Sequence, residues 1–264
     1  MDAVSQALID ALQNNKPAAL ATVVKTRGAS PRDVGAKMLV YPDGAIVGSV
    51  GGGEMELRVI AAAKDALADG KPRYLDLTTS SEPRGDPLIC GGEMEIFVEL
   101  LLMTPTLLIV GAGHVGAAVA QLAHPLGFRV VVLDDRPEFV TPKNFPYADE
   151  RIAGDLVAKI REIEITPHTY VVLVTRNHAL DADLLGAIVE KPAAYIGMLG
   201  SKRRAVTAKE TLKKQGVSEA ALARVHAPIG LAIHAETPQE IAVSILAEII
   251  QVRRQNHALR GSEG

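Results

Sequence analysis

Apolar positions along this chain follow two different rhythms, and the change falls at Thr104-Pro105-Thr106. Before it, Val4 to Leu12 has helical spacing, Ala18 to Lys25 is a β run, and Lys37 to Tyr41 faces Ala45 to Val47 across Pro42-Asp43-Gly44 as a hairpin. Gly48-Ser49-Val50-Gly51-Gly52-Gly53 then feeds a helix predicted over Glu54 to Ala68, rich in Ala and Leu and closed by Gly70. Two further strands, Arg73 to Thr78 and Glu93 to Leu102, flank a loop of Ser, Pro, Gly and Asp from Thr79 to Pro87. The expected division is a first domain over 1–103 and a second over 104–264.

In the second half, Leu107 to Val110, Arg129 to Leu133, Tyr170 to Val174 and Ala193 to Ile196 are continuously apolar, as strands covered on both faces must be. A short strand is expected at Arg151 to Ala153. Helical patterns lie between them at His114 to Pro125, Leu156 to Glu162, Asp181 to Val189 and Ser201 to Gln215, which makes the sheet parallel. A last helix, Pro238 to Arg254, opens with the capping box Thr237-Pro238-Gln239-Glu240 and is expected to dock on one of the domains, leaving Ala258 to Gly264 frayed. The fold class is therefore α/β: an N-terminal α+β domain, then a Rossmann-like, doubly wound parallel sheet.

Composition narrows the function classes. Of the residues 48% are hydrophobic, yet Trp is absent and only 3% are aromatic, so the core is built from Val, Ile, Leu and Ala. A net charge of −3 gives no electrostatic footprint for nucleic acid. The single cysteine, Cys90, excludes an internal disulfide and a cysteine-based zinc site and points to a reducing, cytoplasmic compartment. The first sixteen residues lack the basic start and continuous apolar run of a signal peptide, and no apolar stretch reaches the ~18 residues of a spanning helix.

Candidate chemistry centres on Gly111-Ala112-Gly113-His114-Val115-Gly116, which follows a strand and opens a helix. In that context Gly111 makes the tight turn, Gly113 admits a phosphate to the backbone, Gly116 allows close helix–strand packing, and the helix N-terminus offers N–H groups to the anion. His114 either meets the ligand or only covers the strand end. About twenty residues on, Asp134 can bind a ribose hydroxyl and Arg136 a phosphate; the alternative is a degenerate Rossmann domain that keeps its glycines for packing alone. Gly51, Gly52 and Gly53 form either a second anion nest or a sharp strand-to-helix turn. Cys90, before Gly91-Gly92, is either a soft thiolate facing a ligand or a small buried hydrophobe. Arg27, with Arg32, is either an anion clamp or solvated. At the carboxyl ends of later strands lie His178, a candidate acid or base, and Ser201, Lys202 and Arg203, a rim of donors suited to phosphate.

These blocks together resemble the XdhC/CoxI accessory proteins, which mature xanthine dehydrogenase and carbon monoxide dehydrogenase. The likeness rests on TRGASPR at 26–32, GSVGGG at 48–53, CGG at 90–92, LLIVGAGHVG at 107–116, YIGMLGSKRR at 195–204 and TPQEIAVSILAEI at 237–249. It implies a chaperone more than a catalyst. The chain would bind molybdenum cofactor, as molybdopterin or its cytosine dinucleotide form, protect it while a cysteine desulfurase exchanges oxo for sulfur, and deliver it to an apo xanthine dehydrogenase or related molybdenum hydroxylase. A homodimer is the family-level expectation, and Cys90 would stand near the cofactor's molybdenum. Two departures matter: Glu54 stands where many relatives carry cysteine, and Thr175-Arg176-Asn177-His178 departs from a more acidic Thr-His-Asp-His form. The competing readings are an NAD(P)-dependent oxidoreductase, licensed by the fingerprint and Asp134, and a nucleotide-sensing scaffold.

Overall fold

The computed structural model describes residues 2–28, 30–78, 93–101 and 103–261. The loop Thr79 to Pro87, Cys90-Gly91-Gly92, Leu102 and the last three residues lie outside these. The chain divides into two compact units, one of residues 1–103 with 257–264 and one of residues 104–256, so the last eight residues group with the first unit and not with the second as expected.

In the first unit, β1 (Ala18–Arg27), β2 (Lys37–Val40), β3 (Ile46–Gly48), β4 (Arg73–Thr78) and β5 (Glu93–Leu101) form an antiparallel sheet in the order β3-β2-β1-β5-β4. Helix α2 (Gly53–Asp69) buries Val59, Ala63 and Ala66 against Ala19, Ala21, Val23 and Ile96. Helix α1 (Ala3–Gln13) covers the opposite face, where Ala11 meets Ala18, Leu20 and Leu39. Burial on both faces explains why Ala18 to Ala21 shows no alternation. Helix α2 ends where Gly70 turns left-handed at φ +73° and returns its N–H to Ala66 O.

The second unit carries β6 (Thr106–Val110), β7 (Arg129–Asp134), β8 (Glu150–Ala153), β9 (Thr169–Leu173), β10 (Tyr195–Met198) and β11 (Val225–His226), all parallel, in the order β11-β10-β9-β6-β7-β8. Counted within the unit, this is the doubly wound order 3-2-1-4-5-6 read from the other edge. One face is covered by α3 (His114–Ala123) and α8 (Pro238–Gly261), whose Ala242, Ile245, Leu246 and Ile249 pack with Val119, Phe128 and Tyr170. The other face holds α4 (Leu156–Glu162), α5 (Asp181–Ile188), α6 (Lys202–Lys214) and α7 (Glu219–Ala223) over Val110, Leu133, Leu173 and Met198.

Helix α8 is tied to the sheet by Glu248. Its carboxylate accepts hydrogen bonds from the buried Tyr195 hydroxyl and from Gly230 N–H at 2.8 Å, and pairs with His226 Nδ1 at 3.1 Å. The capping box forms as expected: Glu240 Oε2 accepts from Thr237 N–H at 2.9 Å, and Thr237 Oγ1 from Glu240 N–H at 3.3 Å.

Three expectations shift. The strand placed at Ala193 to Ile196 is Tyr195–Met198, because its parallel pairing runs with Tyr170 to Leu173. Strand β11 and helix α7 are absent from the sequence pattern; with two and five residues they are shorter than any periodicity can register. Helix α8 continues to Gly261 where fraying is expected from Ala258, since no Gly or Pro interrupts the segment between Thr237-Pro238 and that glycine.

Helix α3 approaches the turn that follows β6 closely at Gly116. A Cβ on Gly116 would stand 2.0 Å from Gly111 O, whereas one on Gly113 meets nothing within 4 Å. Gly116→Ala is expected to lower the free energy of unfolding by about 3 kcal/mol or more, and Gly113→Ala to stay within about 0.5 kcal/mol of the natural chain. Urea titration followed by circular dichroism measures both; equal stabilities would refute the close approach.

Candidate functional site

Strands β6 and β9 are neighbours at the middle of the second unit's sheet, and their connections leave toward opposite faces, α3 on one and α5 on the other. Such a reversal opens a crevice at the carboxyl ends of the strands. The fingerprint loop lies there. Gly111, at φ +119°, presses against the chain after β9 so closely that a Cβ would be 2.6 Å from Val174 O. Gly113 caps α3, and the first-turn N–H groups of that helix have no intrahelical acceptor. Those donors, with open space at Gly113, are what a phosphate requires.

The acid at the end of β7 does something other than wait for a ribose. Asp134 is 2% exposed. Its Oδ2 accepts the Ala112 N–H at 2.6 Å, its Oδ1 accepts the Arg136 N–H at 3.0 Å, and the Arg136 guanidinium reaches both oxygens, at 2.8 Å from Nε and 3.0 Å from Nη2. Phe139 lies 3.9 Å beneath the guanidinium. Burial by itself pushes the Asp134 carboxyl up, but the Arg136 guanidinium and the two backbone donors outweigh it and hold the group at about 2. The carboxylate is thus a brace between the fingerprint loop and the end of β7. A ligand hydroxyl would have to displace Arg136 to reach it.

Other candidates separate. His114 is exposed and lines a cavity of about 520 Å³ on the flank of α3. Ser201 caps α6 through Arg204 N–H at 3.3 Å and, with Arg203 and His178, lines a cavity of about 430 Å³ between α5 and α6; Lys202 does not line it. Arg204 and Asp181 line the same cavity as a bidentate pair, at 2.8 Å to Oδ2 and 3.0 Å to Oδ1. Sequence reasoning missed this pair, and no spacing signals it, because the partners lie 23 positions apart on two helices. His178 has no acidic partner among the described residues.

In the first unit the glycine loop closes on itself. Gly51 N–H is 3.2 Å from Ser49 Oγ, Gly52 N–H is 3.3 Å from Glu56 Oε2, and Ser49 Oγ donates to the same carboxylate at 2.6 Å. Gly52 and Gly53 take φ of +76° and +63°, the conformation of a turn that only glycine adopts easily. Glu54 and Glu56 also place negative charge at the start of α2. Arg27 is exposed, 3.8 Å from Glu93. Cys90 lies outside the described residues.

The family model described as the XdhC Rossmann domain matches residues 107–249, and that of the XdhC and CoxI family matches residues 11–78. The chain belongs to the XdhC and CoxI family. Among relatives of this XdhC-family chain, the uncharacterized protein YqeB of Escherichia coli (strain K12) is 40% identical over 91% of the chain. A probable xanthine dehydrogenase component of Bacillus subtilis (strain 168) is 34% identical over 61% of it. The molybdenum cofactor insertion chaperone PaoD of Escherichia coli (strain K12) is 26% identical over 93% of the chain and 86% of its own length. The chain spans 44% of YqeB and 46% of the Bacillus subtilis protein. A crystal structure described as a xanthine dehydrogenase from Bacillus halodurans superposes with a TM-score of 0.53 at 25% identity, covering 94% of this chain and 96% of the other.

Among the described residues of this XdhC-family protein, no three His, Cys, Asp or Glu side chains cluster to hold a metal ion, and no helix is long and apolar enough to cross a membrane. The Asp134 brace carries a pH signature. Its folded value lies below the ordinary 3.8, so its stabilisation is full above about pH 4 and fades as pH falls through about 2. Asp134→Asn is expected to unfold about 2 kcal/mol more easily at neutral pH, with the gap narrowing toward pH 2.5. Paired denaturant titrations at both values check this; a gap of the same size at each would rule out the ionised brace.

Proposed function

We propose that the chain is an accessory factor for a molybdenum hydroxylase of the xanthine dehydrogenase type: it binds molybdenum cofactor, shelters it during sulfuration by a cysteine desulfurase, and delivers it to the apo-enzyme. Family membership supports an accessory role, and the name of PaoD supports the cargo. The observation that carries the reading is the state of the Rossmann crevice. Its phosphate-binding half is open at Gly113 and the start of α3, while its ribose-reading half is closed by Arg136 on Asp134. A ligand with a phosphate end and no need of that acid fits such a crevice.

In this reading Gly113 and the first-turn N–H groups of α3 hold the terminal phosphate of molybdopterin or of its cytosine dinucleotide form. Cys90 stands near the molybdenum, which is cargo passed to the partner. Ser201 and Arg203 bind further anionic groups along the same carboxyl rim, with Lys202 adding positive charge beside them. The protein acts as a cytoplasmic homodimer, and the domain boundary lies at 103–104. The NAD(P)-dependent oxidoreductase reading keeps the fingerprint on its side, but it needs Asp134 free for the ribose, and Asp134 is engaged on all sides.

The test is purification from a host that makes molybdenum cofactor, with molybdenum and pterin measured on the natural chain, Cys90→Ala and Gly113→Asp. Near-stoichiometric pterin is expected on the natural chain. It should fall about tenfold in Gly113→Asp, whose carboxylate would face the phosphate, and molybdenum retention should fall in Cys90→Ala. A chain free of pterin that instead binds NAD or NADP tightly in a titration would overturn the proposal in favour of the oxidoreductase.

A further inference from the structure

The cavity of about 520 Å³ beside α3 lies off the crevice and has a composition of its own. Twelve residues line it, and although 31 of the chain's 264 residues are acidic, none of the twelve is Asp or Glu. Lys143 supplies a positive charge, and His114 stands at the first position of α3, where the helix dipole adds more. Gln121 and Gln239 contribute two carboxamides, each with a donor and an acceptor. The side chains of these four residues have no hydrogen-bond or ionic partner among the described residues. The floor between them is made of small and flat groups, chiefly Ala117, Ala118 and Pro146.

The walls are fixed before any ligand arrives. Asn144 holds the loop between β7 and β8 by donating to Glu138 O at 3.4 Å and Phe139 O at 3.0 Å, and the Arg151 guanidinium clamps Phe145 O at 2.7 and 3.0 Å. Tyr147 stacks on His124 with ring centroids 5.3 Å apart, so its ring is held in place. The Pro238-Gln239 wall is set by the capping box of α8. A preformed cavity of this size, with a flat apolar floor and a few unpaired polar groups, is of the kind that takes small ligands.

We propose that this cavity is a second ligand site, which binds a nucleoside monophosphate: the phosphate between Lys143 and His114, and the base on the alanine floor with its hydrogen-bonding edge toward Gln121 and Gln239. A bare anion would leave both carboxamides unmatched, and an uncharged base would leave Lys143 unmatched. The site shares His114, at the start of α3, with the fingerprint loop, and the rest of its lining lies outside that loop.

The experiment is isothermal titration calorimetry of the full chain with AMP, GMP and CMP, and with inorganic phosphate and the three nucleosides as half-ligands, at about 0.15 M salt. At least one nucleotide is expected to bind at a single site, at least tenfold more tightly than phosphate or its own nucleoside. Lys143→Ala and Gln121→Ala, both exposed positions with folding checked by circular dichroism, are each expected to weaken it about tenfold. Binding kept in both Lys143→Ala and Gln121→Ala would overturn the proposal. So would phosphate binding as tightly as every nucleotide, or no nucleotide binding below the millimolar range.

Discussion

The carboxylate of Asp134 is the tie on which the geometry of the second unit's crevice depends. One of its oxygens takes the N–H of Ala112 inside the fingerprint loop, and the guanidinium of Arg136 bridges both. An ionised carboxylate so deeply buried is tolerable only because every lone-pair direction has a donor. The turn at Gly111 is therefore held from two sides, by Asp134 on the β7 side and by the backbone after β9 on the other. Gly116 then lets α3 descend onto the same turn. What remains open is Gly113 and the helix start. The loop is rigid where it packs and accessible where a phosphate would sit, which is the division of labour a holding site requires.

Much of this is legible in the sequence because the signals are local. A strand, a tight glycine turn and a helix start occupy ten consecutive positions from Leu107 to Gly116, and each residue's role follows from its immediate neighbours. The alternation of apolar runs and helices predicts the parallel sheet, and the capping box before α8 is readable for the same reason. The presence of Asp134 at the end of β7 is equally plain.

Its partner is not. Arg136 is two residues away and reads, as sequence, like a phosphate ligand; only the fold shows the guanidinium turned back onto the acid with Phe139 beneath it. Contacts between distant elements leave no trace either. Arg204 meets Asp181 across two helices, Glu248 gathers Tyr195 and His226 from two strands, and the cavity beside α3 draws its walls from three stretches of chain. Strand β11 escapes for a different reason, since two residues carry no period.

The glycine loop of the first unit leads to a consequence of another sort. Glu56 sits one helical turn inside α2 and has folded its carboxylate back onto Gly52 N–H and the Ser49 hydroxyl. A tethered acid of this kind acts as a built-in competitor: its effective concentration at the loop is set by a short covalent path, far above that of a dissolved anion. Any external phosphate must first evict it and leave a negative charge stranded nearby. The two glycine loops of the protein, alike as strings of letters, thus stand in opposite states toward anions, one self-occupied and the other held open by its own buried acid.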